Sequence, residues 1–385
     1  EGAGRTALEA ILPVLTVCRP RFMEAEKALI RARMARERLQ GRKLSPRLAK
    51  WVVRLDRYQP VLEAAAAWAQ VAPEMLGQEH PVTYLILLQN NHELRATGGF
   101  VSGAGLIRLS EGKIITTTFQ DSYRVDARCD LDAHPPAPAP LRQYMWASVL
   151  VFRDANWSPD FPSSAAVARS IYRLCQRTDI DGVIGVDLDA VTTLLKAFGP
   201  VQPEGYPKPV TSETLLQYVT EYWTAPLRSA SIDDDTGQWW THRKDFMADL
   251  LQAVVQKLAA PSQSVKLSEL ALAMVESFQG KHLLVYLRDL AAARAFAAAG
   301  WDGALRPSDG DYLMLVDSNV GFRKVNPNVR QNVDYRVDLS GGMLRATLTV
   351  GYMNESQGAT ECIAGAGYDD SYEEMMQGCY WDYVR

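Results

Sequence analysis

The sequence predicts an α/β fold: a mixed central sheet flanked by helices, preceded by an N-terminal helical hairpin and followed by a C-terminal β-hairpin subdomain. Three stretches carry that prediction. The apolar run Tyr84-Leu85-Ile86-Leu87-Leu88 is too short for a stable lone helix and reads as a buried strand. Arg21 to Leu39 is rich in Ala, Glu, Arg and Met, all good helix formers. Val333, Tyr335, Val337 and Leu339, then Leu344, Ala346, Leu348 and Val350, alternate on either side of Ser340-Gly341-Gly342, as a β-hairpin does. Residues 1–80 are therefore assigned to a helical stalk, 81–310 to the α/β core and 311–385 to a β-rich C-terminal part.

In the stalk, Gly41 ends one helix and Ser45-Pro46 starts a second, with Pro in its first turn. Pro60 is expected to kink or break that second arm. The core opens with an up-down-up meander: the Tyr84 strand, a strand over Ala104–Leu109, a turn at Ser110-Glu111-Gly112 and a strand over Lys113–Phe119. His134 to Pro140 is a proline-rich surface loop and Ser163 to Gln176 a helix. Val183–Val186 is a strand feeding a helix, Leu188 to Phe198, stopped by Gly199-Pro200. Thr211 caps a helix reaching about Trp223. In the helix Thr241 to Leu258, Phe246, Met247, Leu250, Leu251, Val254, Val255 and Leu258 form a core stripe. Helices at Leu267–Gln279 and Asp289–Ala299 flank a strand at His282–Leu287, and Tyr312–Val316 reads as a further strand.

The meander brings the loop carrying Asn90, Asn91, Glu93 and Arg95 to the same sheet edge as Asp121. Gly98-Gly99 would let backbone approach a ligand closely or take a positive φ. Polar residues converging on a strand-end loop signal a site, and an ordinary decorated hairpin loop is the alternative. Arg153, Asp154, Asn156, Trp157 and Asp160 form a polar-aromatic cluster that either walls a pocket or braces a loop. Asp187 ends a strand where α/β sheets place ligands, and it also reads as an N-cap. His242, Arg243 and Lys244 crowd the first turn of a helix, against its dipole. A phosphate would compensate them there, and so would Asp245 with the Asp233-Asp234-Asp235 run. That run reads either as a divalent-cation site or as a solvated loop.

QNNHELRATGGF, residues 89–100, resembles the QNN-x-ELR-x-TGGF signature of the bacterial family catalogued as domain of unknown function 4012. RDANWSPDFP (153–162), DGVIGVD (181–187) and DSNVGFRKVN (317–326) are similar to further motifs of that family, so the resemblance runs from about Val82 to the C-terminus. More distantly, the layout is similar to LytR-CpsA-Psr proteins, which attach glycopolymers from polyprenyl-pyrophosphate carriers to cell walls. That resemblance implies Arg95 and Arg243 as a pyrophosphate clamp, since guanidinium suits phosphate geometry. It implies Asp121 and Asp187 as ligands of Mg2+ between phosphate oxygens, and an apolar groove between sheet and helices for the polyprenyl chain. Asn90, Asn91, Glu93, Gly98, Gly99, Arg153, Asp154, Asp187, His242 and Lys244 would line the ligand. The sequence departs from the pattern at Gln120 and Thr220, where arginines are expected, and at Thr97, where an acidic residue is expected.

The 385 residues suffice for two or three domains, and 47% hydrophobic with 22% charged residues is an ordinary globular composition. No run of about 18 apolar residues occurs, so no membrane span is expected within the chain. The absent initiator Met and the strand-like Tyr380-Trp381-Asp382-Tyr383-Val384-Arg385 lead to the expectation of a longer protein, with a membrane anchor upstream of Glu1. Net charge is −4, but residues 1–58 carry +8 and the remainder −12. The basic arm suits anionic lipid or wall polymer, or is a solvated helix face. No aromatic platforms or motifs accompany these charges, so nucleic acid is not an expected partner. GxSxG, HExxH and P-loop motifs are absent.

Of five cysteines, Cys362 and Cys379 flank a 16-residue loop and are expected to form a disulfide, which implies an extracytoplasmic setting; two buried thiols are the alternative. Cys129 is expected exposed in a polar loop, and Cys18 and Cys175 packed on helices. Two functions then stand against each other. One is a Mg-dependent phosphotransferase at the cell surface, taking polyprenyl-phosphate lipid and wall polymer. The other is a membrane-anchored binding or structural protein, in which the helical arm serves spacing, homo-oligomer formation or surface assembly. The basic helix end favours the first, and the missing arginines favour the second.

Overall fold

The computed structural model describes residues 6–39, 41–226, 242–260, 266–340, 344–357, 362 and 371–385. The Asp233-Asp234-Asp235 run, Thr241, Gly341-Gly342 and residues 363–370 of the loop between Cys362 and Cys379 lie outside them. Helices α1 (Ala7–Glu37) and α2 (Pro46–Met75) form the expected hairpin. A capping box between Thr6 and Glu9 starts α1, and Ser45 caps α2 ahead of Pro46. α2 runs through Pro60, so the break that was one of the two expected outcomes does not occur. A mid-helix proline costs about 3 kcal/mol in isolation. Here Ala64, Ala66, Ala69, Val71 and Ala72, beyond it, are packed into the core and hold the helix together.

Five strands form one sheet: β1 (Val82–Asn90), β2 (Phe100–Ser110), β3 (Lys113–Asp121), β4 (Gly182–Asp187) and β5 (Leu283–Leu287). Their order is β3-β2-β1-β4-β5, with β1 and β4 parallel and the other pairs antiparallel. β1 lies at the centre and both its faces are covered. Leu85 and Leu87 pack with Phe152, Phe161 and Ile171 on one side, the side of α5 (Phe161–Gln176), which follows the short helices α3 (Ser122–Asp126) and α4 (Ala139–Met145). Tyr84 packs on the other side with α1, α2 and the helices Leu267–Gln279 and Leu290–Ala298. This is why the run at 84–88 is apolar throughout rather than alternating. The β2–β3 turn places Glu111 and Gly112 at positive φ, as a tight hairpin turn requires.

A third cluster, rich in tyrosine, joins α6 (Leu188–Phe198), α7 (Leu215–Thr224), α8 (Asp245–Ala259) and the short helix Tyr372–Met376. Phe246, Leu250 and Val255 of the expected α8 stripe are buried. The C-terminal hairpin is present as strands Val329–Asp338 and Arg345–Asn354. The strand expected at Tyr312–Val316 is not formed, and Tyr312, Leu313 and Met314 are exposed. Instead Val316, Ser318 and Val320 pair with Arg385, Tyr383 and Trp381. That partner lies about sixty residues away, so no local pattern announces it.

Cys362 and Cys379 are bonded as expected. Cys129 and Cys175 form a second disulfide, which corrects their reading as an exposed and a packed thiol. The bond joins α5 to the loop after a short helix, Ser122–Asp126, across 46 positions of sequence. Cys18 is the remaining free cysteine. Among the described residues no helix is long and apolar enough to cross a membrane.

Candidate functional site

The site grows from the end of β1. At Leu88/Gln89 the register with β2 slips, so Ser102 is the extra residue of a bulge. The freed Ser102 carbonyl accepts from Lys244 Nζ at 2.9 Å. Gln89 Oε1 accepts from Thr97 Oγ1 (2.7 Å) and Asn156 Nδ2 (2.8 Å), and Asn156 Nδ2 also donates to the Gly99 carbonyl. A Cβ on Gly99 would stand 2.3 Å from the Asn90 backbone, and Gly98 has φ +131°. The glycine pair therefore serves the chain's own tight loop, not the approach of a ligand.

Glu93 and Arg95 are buried with Lys324 and Asp154. Arg95 Nη1 donates to the carbonyls of Asn319 (2.6 Å) and Leu94 (3.1 Å), Nη2 donates to Glu93, and Nε lies 3.6 Å from Asp154. Glu93 also takes Lys324 Nζ at 3.2 Å. Burial pushes the Glu93 carboxyl up, but Lys324 and Arg95 outweigh it and hold the group below the usual range. Backbone bonds complete the joint: Leu94 N to Asn326 Oδ1, Asn319 N to the Leu94 carbonyl and Asn326 N to the His92 carbonyl. Asn90 Nδ2 donates to the buried Tyr372 hydroxyl, which also meets His92 Nδ1 at 3.1 Å. The motifs at 89–100, 153–162 and 317–326 are thus one hydrogen-bonded network. The expectation of Arg95 as a pyrophosphate clamp is corrected, because the residue is 2% exposed and its guanidinium is bonded within the chain.

Beside this network lies a cationic cluster. Asp121 caps the helix Ser122–Asp126 and pairs with Lys244 at 2.7 Å and Arg243 at 3.5 Å. Lys244 and Arg243 are buried, and aromatic faces replace much of their water. Tyr123 faces Arg153, Lys244 and Arg243, while Trp223 faces Lys324 and Arg243. Burial lowers the Lys244 pKa to about 8, Asp121 opposes that, and the Arg243 and Lys324 charges add to it. His242 Nδ1 meets Asp245 at 2.6 Å, and His242, Arg243 and Lys244 precede α8, which starts at Asp245, rather than occupying its first turn as expected. The adjoining cavity, lined by Leu88, Phe119, Val191, Val219 and Met247 among others, holds about 30 Å³. That is room for a few water molecules, not for a polyprenyl chain.

Asp187 belongs to a third group. It caps α6 through Ala190 N and meets His282 Nδ1 at 2.7 Å, with Asp189 3.7 Å from the same nitrogen. Burial pushes the Asp187 carboxyl up. Asp121 ends β3 and Asp187 ends β4, with β2 and β1 between them. At about 4.8 Å per strand they stand roughly 14 Å apart. The expectation that one Mg2+ is shared by Asp121 and Asp187 is corrected on that ground. Sequence reasoning did not single out Lys324, Tyr372, Tyr123 or His282. Lys324 sits inside the DSNVGFRKVN motif, which was its signal; the others gave none.

Together these observations define a mixed α/β domain whose motif residues meet at one end of the sheet. Residues 79–222 match the family described as protein of unknown function (DUF4012). The match takes in three of the four motifs, and DSNVGFRKVN lies beyond it. No curated protein matches the chain. Among solved structures, the chain is similar to the transcriptional regulator yvhJ from Bacillus subtilis, at 12% identity and TM-score 0.31, over 62% of this chain and 84% of that one. Protein gbs0355 from Streptococcus agalactiae is similar at 14% and 0.35, over 60% and 76%. B. subtilis TagV is similar at 10% and 0.30, over 58% and 80%.

Proposed function

We propose that this is an extracytoplasmic cell-envelope protein of LytR-CpsA-Psr-like layout that acts as a binding or structural component rather than as a transferase. One observation carries the reading: Arg95, the residue expected to clamp phosphate, is bonded to Asn319, Leu94 and Glu93. The motif residues then serve to clasp the C-terminal segment to the core. Lys244 Nζ stands 2.7 Å from Asp121, the place a Mg2+ bound by that carboxylate would need. The two disulfides support an oxidising compartment. Attachment to the membrane through a segment outside this chain, and contact of the basic stalk with anionic lipid, belong to the same proposal.

The cluster of Arg243, Lys244 and Lys324 supports a binding role for phosphate, presented by a polyprenyl phosphate or by a wall polymer. Like charges crowded in a buried place are relieved by an anion. The test is binding of the full chain to vesicles carrying polyprenyl phosphate, with and without Mg2+, beside an Arg243→Ala variant. Binding should fall about tenfold or more in the variant, and no glycan should be released from a polyprenyl-pyrophosphate substrate. Mg2+-dependent release of glycan would instead establish transfer.

A further inference from the structure

We propose that Asp187, Asp189 and His282, with Asn91 beside them, form a binding site for a divalent transition-metal ion of the zinc type. Three adjacent strands build it. Asp187 is the last residue of β4, and His282 immediately precedes the antiparallel β5, where Val186 faces Leu283. Asp187 N donates to the His282 carbonyl, which fixes the two side by side. Asp189 lies in the first turn of α6, and Asn91 follows β1, whose Gln89 is in register with Asp187.

The donor atoms are already gathered. His282 Nδ1 is 2.7 Å from Asp187 Oδ2 and 3.7 Å from Asp189 Oδ2, and one donor atom of each residue lies within 4.8 Å of the others. Ligands at about 2.0–2.2 Å from Zn2+ stand roughly 3.3 Å apart in a tetrahedral shell. The two separations from the imidazole nitrogen straddle that value. The second oxygen of Asp187 is held by Ala190 N at 2.9 Å, so the buried carboxylate presents its other oxygen in a fixed direction.

Two features distinguish this group from an ordinary ion pair. An imidazolium between two carboxylates leaves one negative charge uncompensated, whereas a divalent ion with neutral imidazole balances both. Asn91 Nδ2 donates to Asp189 Oδ2 at 2.7 Å, while Asn91 Oδ1 is a buried acceptor with no partner among the described residues. Rotation of that amide would bring a fourth donor oxygen to the cluster. The His282 and Asp189 side chains are 39% and 58% exposed, which opens a path for the ion and room for water ligands. A nitrogen donor favours zinc over magnesium or calcium. The site is separate from the cationic cluster at Asp121.

The test uses the full chain, stripped with chelator, with Cys18 alkylated, titrated with Zn2+ alone by calorimetry at neutral pH. One equivalent should bind, and Mg2+ should bind at least about a hundredfold more weakly. His282→Gln and, independently, the surface change Asp189→Asn should each weaken Zn2+ binding about tenfold or more. Both variants should lose the rise of the unfolding midpoint that Zn2+ gives the wild type. Absence of Zn2+ binding, or equal binding by the wild type and both variants, would overturn the proposal.

Discussion

Arg95 shows how a residue type that suggests ligand binding can be used for assembly. Its buried charge is matched by Glu93 and Asp154, and its other donors reach carbonyls from two distant segments. Arg95→Met should lower stability by about 3–5 kcal/mol in urea denaturation, because two buried carboxylates lose a partner. A loss below about 1 kcal/mol would remove the bracing role. His92 offers a pH test. Burial, then the neighbouring Lys324 charge, hold its imidazole down to about 4, against 6.5 ordinarily. Between those values the unfolded chain binds more protons, so stability is fully present above pH 6.5 and falls as pH drops toward 4. The wild type should show this decline relative to His92→Gln; parallel curves would mean that His92 is not buried neutral.

At the scale of elements, the hairpin of β1 and β2 depends on close backbone approach at Gly99. Gly99→Ala forces overpacking against the Asn90 backbone and should cost on the order of 3 kcal/mol by thermal unfolding. The Cys129–Cys175 bond closes a long loop, and in the chain-entropy account it contributes up to about 4 kcal/mol. A Cys129→Ser/Cys175→Ser pair should lower stability toward that amount, and alkylation of the unreduced protein should label Cys18 alone. Labelling of Cys129 or Cys175 would refute the pairing.

At the scale of the molecule, residues 316–326 and 371–385 close over one end of the core sheet. Trp381–Arg385 pairs with Val316–Val320, Arg385 stacks on Trp157 at 4.5 Å, and Tyr372 is buried beside Asn90. Removal of residues 381–385 should therefore lower the unfolding midpoint of the whole domain in one cooperative transition. A core transition unchanged by the truncation would show the C-terminal part to be independent. The charge division fits this arrangement: the basic stalk lies at one side of the sheet, while the buried cations gather at the strand ends.

The elements legible in the residues alone are those whose signal is local: the helical hairpin, the meander, the β4–α6 unit and the C-terminal hairpin, because hydrophobic period and turn chemistry act within a few residues. The meander also brings Asn90, Glu93 and Arg95 to the same sheet end as Asp121. What those residues do is set by the partners that folding brings to them. The guanidinium of Arg95 meets Asn319, the carboxylate of Asp121 meets Lys244, and Cys129 meets Cys175. Each partner is set by packing across tens to hundreds of positions, which no local pattern encodes. Pro60 shows the same limit from the other side, since a local rule there yields to the burial of the helix beyond it.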